Sequence, residues 1–163
     1  MTTAPHATAE LLATTPLDWT WNVLVPIDPT RFYPKHGPIP ATVAVREQSG
    51  PWHSVGQTRK LVLADGGHVI ETITDVEKPS AGSAFFAYEL TDFQKLFKLL
   101  VDHARAEWTY TEQPDGTLVH WTYTFYPRKG WGWAVALIVR LWWDPYMRQV
   151  LPEVVHEAER LAP

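Results

Sequence analysis

Residues 105–124 read Arg-Ala-Glu-Trp-Thr-Tyr-Thr-Glu-Gln-Pro-Asp-Gly-Thr-Leu-Val-His-Trp-Thr-Tyr-Thr. Pro114-Asp115-Gly116 is a turn tripeptide between two runs in which large apolar and polar residues alternate, and a period of two places every second side chain on one face of a strand. Folding the segment about Pro114 and Asp115 sets Trp108 opposite Trp121, Tyr110 opposite Val119 and Ala106 opposite Tyr123. The large apolar side chains then share one face, and Arg105, Glu107, Thr109, His120, Thr122 and Thr124 share the other. A slip by one residue would turn the aromatic set into water. The hairpin therefore presents a face that something else must cover.

Downstream, beyond Pro127-Arg128-Lys129-Gly130, the pattern becomes a long helix running to about Leu161, with Pro145 and Pro152 expected to break or kink it. Its start, Trp131 to Trp143, is apolar nearly all round and is expected to be buried. The prolines weaken the second half, so any opening of the helix is expected to begin near Asp144-Pro145. Upstream, Phe86, Tyr88 and Leu90 mark a strand, and residues 92–103 (DFQKLFKLLVDH) form a helical turn or long loop. Asp65-Gly66 predicts a hairpin; as a two-residue turn it sets Lys60 opposite Glu71, Leu61 opposite Ile70 and Val62 opposite Val69, with both faces mixed. Residues 41–48 give a weaker strand, and Asp28-Pro29 caps a short helix. Alternation of Trp19, Trp21, Val23 and Val25 reads as a strand. Residues 1–16 carry no secretory pattern and read as a flexible lead-in to one domain at 17–163. One long helix is the only element large enough to cover a meander of about six to seven strands.

Composition excludes several chemistries. The 163 residues contain no cysteine, so thiol nucleophiles, thiolate metal sites and disulfides are absent. A net charge of −4 argues against nucleic acid as a partner. The longest apolar run is thirteen residues, short of the ~18–20 that span a bilayer, so a cytoplasmic location is expected. His156-Glu157-Ala158-Glu159-Arg160 resembles a zinc-protease helix but has Arg160 where the second ligand belongs. Gly130-Trp131-Gly132-Trp133-Ala134-Val135 lacks the third glycine of a dinucleotide loop. The seven histidines have no ligand spacing, and neither metal nor cofactor is expected.

Nine Trp, six Tyr and six Phe are the chain's distinguishing asset. Trp21, Tyr88, Trp108, Tyr110, Trp121 and Tyr123 either fill a core or line a cavity for an apolar ligand, to which their N–H and O–H groups would offer hydrogen bonds. Arg59, Lys60 and Glu71 are either a surface ion pair across two strands or, for Arg59 and Glu71, groups that move protons in a dry site.

Gly37-Pro38-Ile39-Pro40, Gly50-Pro51-Trp52, Val55-Gly56-Gln57-Thr58-Arg59, Asp65-Gly66, Glu71-Thr72, Glu107-Trp108-Thr109-Tyr110 and the stretch from Gly116-Thr117 to Trp121-Thr122-Tyr123 together resemble the SRPBCC or START-like superfamily, grouped with polyketide cyclases/dehydrases and lipid-transport proteins. The resemblance covers roughly residues 18–160. It implies an α+β helix-grip fold, in which a curved antiparallel sheet wraps the C-terminal helix around an internal cavity, and it implies a small hydrophobic ligand: a lipid, a sterol or a polyketide-like molecule. No catalytic signature of the superfamily is matched. A cyclase or dehydratase using Glu71, Arg59 or a cavity tyrosine is the first alternative. The second is a membrane-surface protein held by Arg128, Lys129, Trp131 and Trp133.

Overall fold

In the computed structural model, which describes residues 3–163, β6 (Val101–Gln113) and β7 (Gly116–Pro127) pair in the expected register, with Trp108 opposite Trp121 and Tyr110 opposite Val119. The turn closes at Gln113 and Gly116. Gly116 has φ 146, and a Cβ there would collide with the Ala13 carbonyl oxygen, so only glycine fits the position. From this hairpin the sheet extends antiparallel in both directions, in the order β1-β7-β6-β5-β4-β3-β2. Its other strands are β1 (His6–Ala13), β2 (Thr42–Arg46), β3 (Thr58–Leu63), β4 (His68–Ser80) and β5 (Ser83–Thr91). Register shifts between Ile73 and Asp75 and between Glu77 and Ser80 let β4 bend against β5.

Two sequence expectations exchange places here. Residues 6–13, expected to be a flexible lead-in, form the edge strand β1 on β7. Their inward side chains include Ala7, Ala9 and Ala13, all buried. Alanine gives almost no amphipathic signal, yet its small size lets the C-terminal helix approach the sheet. Of residues 19–25, expected to be a strand, 19–24 belong instead to helix α1 (Leu17–Leu24) and Val25 caps it. Its buried residues Leu17, Thr20, Trp21 and Leu24 have spacings of three and four, a helical stripe that the local Trp/Thr alternation obscured. Thr20 Oγ1 donates to the Pro16 carbonyl at 2.9 Å, and Trp19 Nε1 donates to the Ala158 carbonyl at 2.8 Å, which ties α1 to the C-terminal helix.

Helix α2 (Pro29–Phe32) starts at the expected cap, where Asp28 Oδ1 accepts from the Thr30 amide at 2.9 Å. The β3–β4 register differs from expectation by one residue. Arg59 faces Glu71, Lys60 faces Ile70 and Leu61 faces Val69, because three residues separate Leu63 from Gly67, to whose carbonyl the Leu63 amide donates at 2.9 Å, and Gly66 takes φ 84 among them. Helix α3 (Lys95–Leu100) occupies the β5–β6 connection.

The C-terminal helix runs continuously as α4 (Gly132–Ile138), a π-helical turn (Val139–Trp143) and α5 (Asp144–Leu161). Pro145 has no N–H for the Leu141 carbonyl and crowds it. The turn just before it widens, with the Asp144 amide reaching back to Val139. Pro152 is accommodated inside α5. The expectation that Trp131–Trp143 is buried on all sides is corrected: only Val135 and Val139 are buried in α4 and the π turn, whereas Trp133 is 70% exposed. Instead α5 carries the core stripe, with Met147, Val150, Leu151, Val154 and Val155 almost inaccessible. Glu157, in the last turns of α5, is buried and holds Arg31 at 3.1 Å and Arg160 at 2.8 Å. Those two guanidiniums keep its carboxyl below the ordinary range, Arg160 most strongly.

Candidate functional site

The concave face of the sheet is covered unevenly. Under α1 and α5 it is solid: the rings of Trp108 and Trp121 stack at 4.6 Å, and Trp21 meets Tyr110 and Phe86 edge-on at 5.5 and 6.2 Å. Toward the β2 edge the sheet and the C-terminal helix diverge and enclose a cavity of about 420 Å³. Leu61, Val69, Glu71, Tyr88 and Leu90 form its sheet wall, and Tyr123 and Phe125 of β7 extend it. Tyr33 and residues 38–40 close one side, Phe97 and Leu100 of α3 another, and Ile138, Trp142, Trp143 and Tyr146 the helix side. Volume and mostly apolar lining match those of small-molecule sites.

Glu71 is the cavity's buried charge, 4% exposed. Its Oε2 accepts from Arg59 Nε at 2.6 Å, directly across the β3–β4 ladder, and the guanidinium lies 4.0 Å above the ring of buried Trp52. This is the buried form of the expected ion pair. Lys60 is excluded from it by the one-residue register difference and instead binds Glu47 at 2.9 Å at the surface. Stacking on Trp52 and bonding to Glu71 hold Arg59 in place, so the carboxylate has a fixed position.

Four phenols line the cavity with Glu71. Burial, and then the Glu71 carboxylate, raise Tyr33 above its ordinary value. Tyr88 and Tyr123 are raised well above it by burial first, with Glu71 among the further causes, and burial raises Tyr146. All four therefore stay protonated at neutral pH and present O–H donors. Trp143 also lines the cavity, and its buried indole N–H has no hydrogen-bond partner. The site can thus hold an apolar body and exchange hydrogen bonds with a polar group on it.

Of the aromatic and charged residues singled out from sequence, Tyr88, Tyr123 and Glu71 line the cavity, with Arg59 immediately behind Glu71. Trp21, Trp108, Tyr110 and Trp121 do not line it; they are core. Sequence reasoning missed Tyr33, Trp142, Trp143 and Tyr146. Spacings of three and four within 142–146 could have exposed the last three as one helical face.

Antiparallel curvature, a C-terminal helix laid across the concave face and a cavity between them define a helix-grip, START-like protein. Over residues 16–159 the chain matches the family described as polyketide cyclase / dehydrase and lipid transport, and it belongs to that family. Among solved structures it is similar to a protein from Nitrosospira multiformis, with 14% identity, TM-score 0.65, and 94% of this chain and 95% of that one covered. A point mutant of norcoclaurine synthase from Thalictrum flavum in complex with a transition-state analogue is similar at 12% identity and TM-score 0.62, with 98% of each chain covered. Ara h 8.0201 is similar at 12% identity and TM-score 0.60, with 94% and 99% covered. These likenesses establish the fold. Comparison with curated protein sequences gives no match.

Proposed function

We propose that the chain binds a small, mostly apolar molecule, such as a lipid, a sterol or a polyketide-like ring system, in the cavity between sheet and C-terminal helix. The carrying observation is the cavity of about 420 Å³, walled by aliphatic and aromatic side chains with one fixed carboxylate in the wall. Arg59 engages Oε2 of Glu71, which leaves Oε1 as the acceptor for a ligand hydroxyl. Titration with fatty acids, sterols and polycyclic aromatics, followed by tryptophan emission, should give micromolar affinity for at least one class, roughly −8 kcal/mol. No response from any compound, together with an experimental structure in which side chains fill the cavity, would end this reading.

A second reading, a cyclase or dehydratase, is favoured by the convergence of Glu71 and the Tyr33, Tyr88 and Tyr123 phenols on one cavity. The phenols would donate to a carbonyl oxygen, and Glu71 would have to accept a proton while bonded to Arg59. Turnover of a polyketone that Glu71→Gln abolishes while binding persists would support it.

A further inference from the structure

Beside the cavity, helices α3 and α4 lie next to each other and leave apolar side chains in water. Leu96 and Leu99 on α3 are 66% and 62% exposed. Trp133, Leu137 and Leu141, four residues apart along the C-terminal helix, are 70%, 47% and 47% exposed. Leu96 belongs to the cavity lining as well as to this patch, and Ile138 and Trp142 line the cavity from within the same helical stretch as Leu137 and Leu141. The patch and the cavity mouth are therefore continuous.

Charge is distributed just as unevenly. Residues 93–101 and 128–143 contain Lys95, Lys98, Arg128, Lys129 and Arg140 and no acidic residue, although the whole chain has 18 acidic against 14 basic residues. Arg128 is partly neutralised by Asp102 at 3.3 Å. No ion pair among the described residues engages Lys95, Lys98, Lys129 or Arg140. A positive rim around exposed tryptophan and leucine is complementary to an anionic lipid surface, where indole rings favour the interfacial zone and lysines meet headgroup charge. The same rim opposes self-association through this face, because two copies would bring like charges together.

We infer that the α3–α4 face docks on an anionic bilayer with the cavity mouth against it. This goes beyond ligand binding, and either reading can fail without the other. The test is flotation of the full chain with vesicles of phosphatidylcholine alone and of phosphatidylcholine doped with phosphatidylserine. The chain should bind the doped vesicles and should be released by high salt. Trp133→Ser/Leu137→Ser should weaken binding by about tenfold or more, while both substitutions, being at exposed sites, leave the thermal transition in place. Lys98→Gln/Lys129→Gln should remove the preference for phosphatidylserine. Leu161→Ser, an exposed apolar site outside this patch, should change nothing. Failure to bind doped vesicles, or binding unaffected by Trp133→Ser/Leu137→Ser, would overturn the inference. So would a dimer in sedimentation that these two substitutions dissolve, which would assign the face to a second copy of the chain. Ligand titration of Trp133→Ser/Leu137→Ser keeps the cavity reading separate, since these two side chains lie outside the cavity lining.

Discussion

Two ends of one concave surface have opposite fates. β5 shows the contrast within three residues: Phe86 packs edge-on against Trp21, whereas Tyr88 lines the cavity, with ring centroids only 5.9 Å apart. Strand alternation placed both side chains on the same face. What separates them is the covering element. At the packed end, α1 inserts Trp21, and α5 contributes a stripe of fully buried aliphatic residues. At the open end the cover is the six-residue α3, the 38–40 loop and a π-widened turn of the helix. An inward aromatic on a curved sheet thus becomes core or cavity wall according to what lies over it, and the strand's own sequence does not decide which.

The contrast can be broken most severely at the packed end. Trp121→Ala removes a fully buried ring stacked on Trp108 and should cost about 3–5 kcal/mol in denaturant unfolding. A loss below about 1 kcal/mol would place the site in open solvent. Next is Glu71→Ala, which strands the buried Arg59 guanidinium and should cost about 3 kcal/mol. Arg59→Met/Glu71→Leu, which removes both charges, should restore most of that stability while abolishing preference for hydroxylated ligands. Leu61→Ala, at the open end, should cost only about 2 kcal/mol because it enlarges a space already present.

Smaller effects concern the cover. The prolines suggested that the C-terminal helix opens after Asp144, but burial points the other way, since α4 buries one residue and α5 buries eight. Amides of Ala134–Leu141 should therefore exchange with solvent faster than those of Tyr146–His156, and a bound ligand should slow the first set more. Equal protection would remove α4 as the mobile part of the cover. The smallest effect is on pH dependence. Asp92, at φ 58 just before α3, binds His68 at 2.6 Å, and that bond holds its carboxyl below its ordinary 3.8. A lowered folded-state value means that the contribution is present above 3.8 and lost as pH falls through the folded value. Exchange at Lys95–Leu100 should accelerate below pH 3.8 in the native chain and show no such step in Asp92→Asn.

The fold was legible wherever large residues carried a single period. Trp108, Tyr110, Trp121 and Tyr123 alternate without ambiguity, and the register they imply is the one observed. It was illegible where the inward residues are small, as with Ala7, Ala9 and Ala13 of β1, or where two periods coexist, as in Trp19–Leu24. Those two errors offset each other in the strand count. The cavity was half legible. Tyr88, Tyr123 and Glu71 were identified, but Tyr33 and the helix residues Trp142, Trp143 and Tyr146 reach it only through tertiary placement. A difference of one residue in the β3–β4 loop decided whether Arg59 or Lys60 meets Glu71, and so turned an expected surface pair into a buried one.

On the proposed function the open end holds ligand and the packed end does not. Isotope-filtered nuclear Overhauser spectra of the labelled chain with an unlabelled apolar probe, 8-anilinonaphthalene-1-sulfonate or the tightest binder from the titration panel, test this directly. Cross-peaks should connect the probe to Leu61, Tyr88, Tyr123 and Trp143, and none should reach Trp108 or Trp121. Contacts to those two rings, or contacts confined to the outer surface of the sheet, would mean that the open end is not the binding site.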